Sequence, residues 1–216
     1  MKYTYDKIIV PIGCDCHPAY VLKKLNLRES SLPFDWLNIE PNTGLTYIAD
    51  NIRNEFKHFI SDLKVNDDGH IVSSHYECAE FYHEKDLIEN TNHQLKMKRR
   101  VDRFKEIIKN DISYLHMIPM KTLRNQDMVD DILRSIIEFQ SILKPSDTLS
   151  IYIRSDDKKH QNEAMCESLI NKSRGLNQVT IAKYIRNKNK YGQWGNEDRY
   201  NNLLTKVGIK LLKKYR

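Results

Sequence analysis

Apolar positions along the chain fall into short dense runs separated by stretches with a helical repeat. Residues 7–13 (KIIVPIG) form an apolar run closed by glycine, the mark of a short buried strand. Residues 18–25 (PAYVLKKL) carry proline in the first turn and apolar residues at helical spacing, which predicts a helix. A second helix is predicted over 46–60, where Tyr47, Ile48, Ile52, Phe56, Phe59 and Ile60 share one face. Residues 61–84, with Asp68-Gly69 among them, predict a hairpin or irregular excursion. A long polar helix follows over 85–109, with Leu95, Val101, Phe104, Ile107 and Ile108 as its inner stripe. Beyond it strand and helix alternate: strands at 112–118, 148–154 and 179–185, helices at 128–143, 159–172 and 200–214.

Strands alternating with helices of this length imply an α/β class: a mostly parallel sheet with helices on both faces, a Rossmann-like three-layer arrangement, interrupted by the excursion near residues 61–84. A length of 216 residues suits a single α/β domain over 1–216, and no internal repeat or low-complexity linker divides it. Open parallel sheets bind ligands beyond the carboxyl ends of their strands, near a topological switch point. With the first strand placed centrally, Gly13 to His17 stand at that edge. Residues 154–157 and Arg186-Asn187, each following another strand, stand there too.

Composition narrows the class of partner. Charged residues reach 30% and mean hydropathy is -0.65, yet 40% of residues are hydrophobic and recur in periodic blocks, as in a folded soluble protein. No run approaches the ~18 apolar residues of a membrane span, and Met1-Lys2-Tyr3 leads into a strand-like stretch instead of a signal peptide. A cytoplasmic protein with no membrane partner is the expectation. The net charge of +6 arises from 35 basic and 29 acidic residues, with much of the excess in Lys96, Lys98, Arg99, Arg100, Arg103 and the tail Lys210, Lys213, Lys214 and Arg216. Such runs fit solvated helix faces better than a stacking surface, so nucleic acid is not an expected partner.

The four cysteines, Cys14, Cys16, Cys78 and Cys166, are too few for a disulfide framework in a chain of this length and read as reduced thiols. Cys14 and Cys16 fall in the strand-to-helix turn. A zinc site needs about four ligands, commonly in Cys-x-x-Cys knuckles. Here Cys78, His75 and His83 would have to complete it from far along the chain, so no metal is expected. The redox Cys-x-x-Cys spacing is absent as well. A nucleophile fits better, because a thiol at a helix start meets the positive end of the helix dipole and free backbone N–H groups, both favouring thiolate. The plainer alternative makes both thiols small apolar fillers of a tight turn. No Walker loop, GxGxxG, HExxH or EF-hand pattern appears, and no cofactor is expected.

Gly13-x-x-Cys16, then Ala19, the helix end at residues 22–28 (LKKLNLR) and Pro33-Phe34-Asp35-Trp36 together resemble the family of papain-like cysteine peptidases found in microbes and large viruses, whose activity is largely assigned by inference. Phe81-Tyr82-His83-Glu84 is similar to that family's histidine motif. Arg99-Arg100-x-x-Arg103-Phe104 is similar to its arginine-rich helix, and Tyr152-Ile153-Arg154 to its later strand. The resemblance implies Cys16 as nucleophile and His83 as base, with Cys14 a small residue of the turn. A papain-like enzyme carries its cysteine on a long helix against a mostly antiparallel sheet. The βα periodicity gives a different fold, so the resemblance is carried over as a Cys/His pair only.

For that chemistry a base must reach the thiol and a third group must orient the base. His83 is the first choice, His75 the second and His17 the third, and Asp35 is the candidate orienting carboxylate. Flanked by Phe34 and Trp36, Asp35 is equally suited to a buried ion pair with Arg28, Arg100 or Arg103. Arg100, Arg103 and Arg154 are candidate substrate-binding residues, since guanidinium forks match carboxylate or phosphate. Arg100 and Arg103 suit the Asp35 loop as well. Trp194, on a glycine-flanked loop, is placed to cover the cleft or pack on the core. The function expected is a cysteine-dependent hydrolase or acyl-transfer enzyme acting on a peptide, ester or glycan-linked substrate. A non-catalytic anion- or glycan-binding domain and a glycan-modifying transferase are the alternatives.

Overall fold

The computed structural model of the chain describes residues 2–156 and 162–214. In chain order they form β1 (Lys2–Thr4), β2 (Ile8–Pro11), α1 (His17–Lys24), β3 (Asn38–Ile39), α2 (Gly44–Arg53), β4 (Leu63–Val65), β5 (Ile71–Ser73), β6 (Tyr76–Glu80) and α3 (Thr91–Ile107). Then come β7 (Ile112–Pro119), α4 (Gln126–Gln140), β8 (Thr148–Ser155), α5 (Glu163–Ser173), β9 (Val179–Ile185), α6 (Lys188–Tyr191), α7 (Tyr200–Lys206) and β10 (Leu212–Lys214).

The main sheet is parallel throughout, in the order β2-β7-β8-β9. Its strands are the apolar runs of the sequence, and their alternation divides the core in two. Val10, Tyr114, Ile118, Ile151 and Ile153 pack with α2, α3, α4 and α5 on one face. Ile9, Leu115, Met117 and Tyr152 pack with α1 and α7 on the other. The α/β class with helices on both faces is therefore as the periodicity implies. The central placement of the first strand is not: β2 is an edge strand, and the strands lie in simple chain order without a switch point. The turn after β2 nonetheless leaves from the carboxyl edge, because that depends on strand direction alone.

The excursion is a small antiparallel sheet of order β3-β6-β5-β4. Its β4–β5 connection contains Gly69 at φ +78, a conformation that favours glycine. Three helices are shorter than the periodicity suggests, each for a local reason. The predicted 46–60 helix stops at Arg53 because Glu55 and Phe56 adopt positive φ, which lets Phe56 turn inward onto Phe34, Phe59 and Phe104. The 85–109 helix starts only at Thr91, where the Asn90 side chain accepts from the backbone N–H groups of Asn92 and His93. The closing helix ends at Lys206, just before Gly208 at φ +87, and its tail becomes β10, antiparallel to β1. The helix predicted over 159–172 is seen as α5, and its first predicted residues lie outside the described set.

The segment joining α1 to the excursion is fixed by charge. α1 closes with a Schellman turn: Asn26 takes φ +55, Leu27 N–H bonds to Leu22 C=O, and Asn26 N–H to Lys23 C=O. Arg28 then reaches Asp35, whose side chain is fully buried, through both Nε (3.0 Å) and Nη2. The backbone N–H of Leu32 donates to the same carboxylate at 2.8 Å. Phe34 thereby enters the centre of an aromatic cluster with Tyr47, Phe56, Phe59 and Phe104.

Removing one partner of a buried pair strands the other charge, at a cost of about 3–5 kcal/mol, whereas exposed pairs are worth at most about 1 kcal/mol. Arg28→Gln is thus expected to lower the urea-unfolding free energy by several kcal/mol, and Arg53→Gln, which breaks the exposed pair with Glu138, by about 1 kcal/mol or less. Equal losses in the two variants would refute the anchoring role of Arg28.

Candidate functional site

The strand-to-helix turn after β2 holds Gly13, Cys14, Asp15 and Cys16. Gly13 is required by close approach: a Cβ there would lie 2.5 Å from Pro18 Cγ and 3.0 Å from the Asp15 carbonyl oxygen. Asp15 Oδ1 accepts the His17 N–H at 2.8 Å and starts α1. Its other oxygen pairs with Arg154 Nη1 at 2.7 Å, tying the turn to the carboxyl end of β8.

Cys14 is buried, and its Sγ lies 3.7 Å from His116 Nε2, on β7. The partner of His116 Nδ1 is the carbonyl oxygen of Ile12, which can only accept. Nδ1 therefore carries the proton, and Nε2 is left as acceptor for the Cys14 S–H. Burial, helped by Asp15, raises the Cys14 pKa far above its ordinary range, with Arg154 opposing. Burial also pulls His116 down to about 4, against the Ile12 hydrogen bond and Asp15. At neutral pH the pair is neutral, thiol against imidazole.

The amino end of α2 closes over this pair. A Cβ placed on Gly44, the first residue of α2, would sit 3.7 Å from Cys14 Sγ and 4.0 Å from His116 Cε1. The first N–H groups of a helix have no intrahelical partner, so the positive end of α2 lies beside the thiol. The Ile39 N–H, at the end of β3, donates to the Cys14 carbonyl at 3.0 Å and holds that approach.

Cys16 occupies the N-cap of α1 and is half-buried. Burial and Asp15 raise its pKa, while its own backbone N–H, Arg154 and Arg186 pull the other way. Among the described residues the thiol–imidazole hydrogen bond is that of Cys14, and none joins Cys16 to a histidine. His83 instead packs edge-on against Trp36 and Tyr82. His75 bonds to Asp62 at 3.0 Å and packs its ring, tilted, against His58. His17 is buried with Nδ1 2.6 Å from the Tyr152 hydroxyl and Nε2 3.2 Å from the Trp194 carbonyl. That carbonyl requires the proton on Nε2, and burial, followed by Arg154, holds the neutral ring down to about 3.

The remaining sequence candidates separate. Asp35 serves Arg28 and Leu32, away from any histidine, and burial raises its carboxyl despite Arg28. Arg100 is paired with Glu84 at 3.1 Å, and Arg103 donates to the Ser31 carbonyl at 2.7 Å. These two brace the loops around Asp35 and Glu84, whereas Arg154 stands at the turn. Trp194 stacks on Tyr20 at 3.7 Å and packs against the start of α1. Cys78 is half-buried beside Thr43, Cys166 is buried in α5, and Asp157 lies outside the described residues. Among the described residues no group of three or more His, Cys, Asp or Glu is placed to hold a metal, and no helix is long and apolar enough to cross a membrane.

His116 is the site residue that sequence reasoning missed. Its signal was available: a histidine in the middle of a largely apolar strand, on the same face as Tyr114 and Ile118. Because His116 and His17 are neutral in the fold but take up protons near pH 6.5 when unfolded, stability is complete above that value and falls as pH drops toward 4 and 3. Each histidine contributes a slope of at most about 1.4 kcal/mol per pH unit. His116→Gln should flatten the dependence of unfolding free energy on pH between about 6.5 and 4.5 relative to the wild type. Parallel curves would show that His116 is not buried neutral.

Comparison with known proteins accords with the motifs of the turn. "Uncharacterized protein R408" of Acanthamoeba polyphaga mimivirus is 37% identical over 54 residues, 25% of this chain and 24% of that protein. The matched stretch thus spans about a quarter of that viral relative. No solved structure matches. A family model described as "Putative papain-like cysteine peptidase" matches residues 7–181, from the start of β2 to the middle of β9, and the chain belongs to that family.

Proposed function

We propose that the protein is a cysteine-dependent hydrolase or acyl-transfer enzyme in which Cys14 is the nucleophile and His116 the base. The observation that carries this reading is the 3.7 Å approach of Cys14 Sγ to an imidazole nitrogen whose lone pair is freed by the Ile12 carbonyl. A nucleophilic thiol needs a base within hydrogen-bond reach and a third group orienting that base, and these three groups fill the roles.

In the acylation step Sγ attacks the carbonyl carbon of an amide, ester or thioester as its proton passes to His116 Nε2. The imidazolium is held by the Nδ1–H bond to Ile12. The carbonyl oxygen gains the negative charge, and the amino end of α2, beside the thiol, offers positive potential to hold it. Collapse expels the amine, alcohol or thiol with the proton from Nε2. In hydrolysis Nε2 then takes a proton from water, whose oxygen attacks the thioester and releases the acid and the free thiol. A neutral resting pair means that thiolate forms only as the carbonyl is attacked. With Cys14 only 3% exposed, opening of the turn or of the amino end of α2 belongs to the catalytic cycle.

The family motif marks Cys16, and the test separates the two thiols. After exposure to p-nitrophenyl acetate and to peptide thioesters, mass spectrometry of the digested protein should find the acyl group on Cys14. Cys14→Ala and His116→Ala should each reduce acyl-enzyme formation by about 100-fold or more, the scale of lost general-base and nucleophilic assistance. Cys16→Ala should change it by a few-fold at most. Acylation of Cys16 that survives Cys14→Ala would move the nucleophile to Cys16, and no acylation of any thiol would sink the enzyme reading.

A further inference from the structure

At the carboxyl edge, β8 and β9 end in a polar corner. Arg154 stands opposite Tyr184 in the β8–β9 register, and Arg186 follows the last residue of β9. Arg154, Tyr184 and Arg186 are 8%, 8% and 7% exposed. Two guanidinium groups at that depth require acceptors all round, and these have too few. Arg186 Nη1 donates to the Gln193 carbonyl at 2.8 Å, and Arg154 Nη1 pairs with Asp15. Among the described residues the Nε–H groups of both arginines and the Tyr184 hydroxyl have no hydrogen-bond partner. These donors share one corner: a Cβ on Gly195 would lie 2.8 Å from Arg186 Cγ and 3.0 Å from Tyr184 Oη. Each buried donor left without an acceptor costs about 1–3 kcal/mol, so a cluster of them marks space for an acceptor.

Asp156 shows which acceptor fits. Its Oδ1 lies 2.6 Å from Arg186 Nη2 and 3.6 Å from Arg154 Nε, so one carboxylate oxygen already sits between the two guanidinium groups. The Asp156 side chain is 44% exposed and stands at the rim, whereas Asp15 is committed to the start of α1 through the His17 N–H. Asp156 is thus the replaceable anion of the corner.

We propose that Arg154, Arg186 and Tyr184 form a subsite for an anionic group of the substrate, a carboxylate or a phosphate, which takes the place of Asp156 Oδ1 between the guanidinium groups. Forked donors and a phenolic hydroxyl suit either group, and the planar geometry of guanidinium favours two-point contact. The subsite adjoins the thiol turn, since Arg154 holds Asp15, which lies between Cys14 and Cys16. The inference deepens the hydrolase reading on which it rests: the acyl compound attacked carries an acidic group near the scissile bond.

Calorimetric titration of the full chain at neutral pH in low-chloride buffer tests the subsite, with inorganic phosphate and succinate as separate probes. Saturable binding of at least one is expected, and the preferred probe identifies the group. Asp156→Asn removes the internal competitor and should tighten binding by about tenfold. Arg186→Gln should weaken it by about tenfold or more, as expected for loss of a charged hydrogen bond. Tyr184→Phe, a smaller change that keeps the ring packing, should weaken it several-fold, with melting temperature as the check on folding. Failure of both probes to bind, binding unmoved by Arg186→Gln and Tyr184→Phe, or Asp156→Asn binding no tighter than the wild type would each overturn the proposal. Anion binding without any acyl-enzyme would sink the hydrolase reading alone, and acylation without anion binding would sink the subsite alone.

Discussion

A carboxylate cannot be taken out of water without an equal and well-placed partner, and Asp35 has no solvent to turn to. Its pairing with Arg28 links the end of α1 to the start of the loop that follows, so that the chain must double back beside the sheet. Phe34 is then committed to the aromatic core, and Trp36 lies under the Arg28 guanidinium at 5.8 Å. From this anchored loop the chain reaches Ile39, whose N–H fixes the Cys14 carbonyl, and then Gly44, which closes over the thiol. Buried pairs of this kind add little net stability over apolar packing, but the alternatives to the native path leave a charge stranded. The pair therefore selects the path more than it strengthens the fold.

Strand direction supplies the other half of the site. All four strands of the main sheet run the same way, so the ends of β2, β8 and β9 deliver Asp15, Arg154 and Arg186 to one edge. Side-chain alternation sorts them by face. Tyr152 and Arg154 point with α1 and α7, and His116 points with α2 and α4, so the thiol turn sits where the two layers part. A buried imidazole on one face and a chain of ion pairs on the other thus converge on four consecutive residues.

Local rules account for what could be read from the chain. The βα alternation, the position of the turn and the excursion follow from period and punctuation, which act over a few residues. Arg28 and Arg103 near the Asp35 loop were foreseeable from the cost of burying that carboxylate. Contacts set by strand order were not: Cys14 and His116 are 102 residues apart, and nothing in the period of either segment says that β7 lies next to β2. Motif resemblance selected His83, whose surroundings are the aromatic rings of Trp36 and Tyr82. Helix ends were overestimated where positive φ at Phe56 or Gly208 stopped a periodic pattern that the sequence continues.

Two thiols two residues apart meet opposite environments, and the difference bears on chemistry. Asp15 lies between them and raises both, so neither gains from its nearest charge. For Cys16 the repulsion is offset by two guanidinium groups and the start of α1 in a half-buried position. For Cys14 burial outweighs the opposing pull of Arg154, and the thiol is held by a neutral hydrogen bond to an imidazole. A thiol held in that way resists stray electrophiles and oxidants at rest, since thiolate is the reactive form. In the proposed reaction it becomes nucleophilic only when an incoming carbonyl lets its proton move to His116 Nε2. Under that proposal, neutrality at rest and an imidazole within hydrogen-bond reach work together, and reactivity is coupled to occupation of the turn.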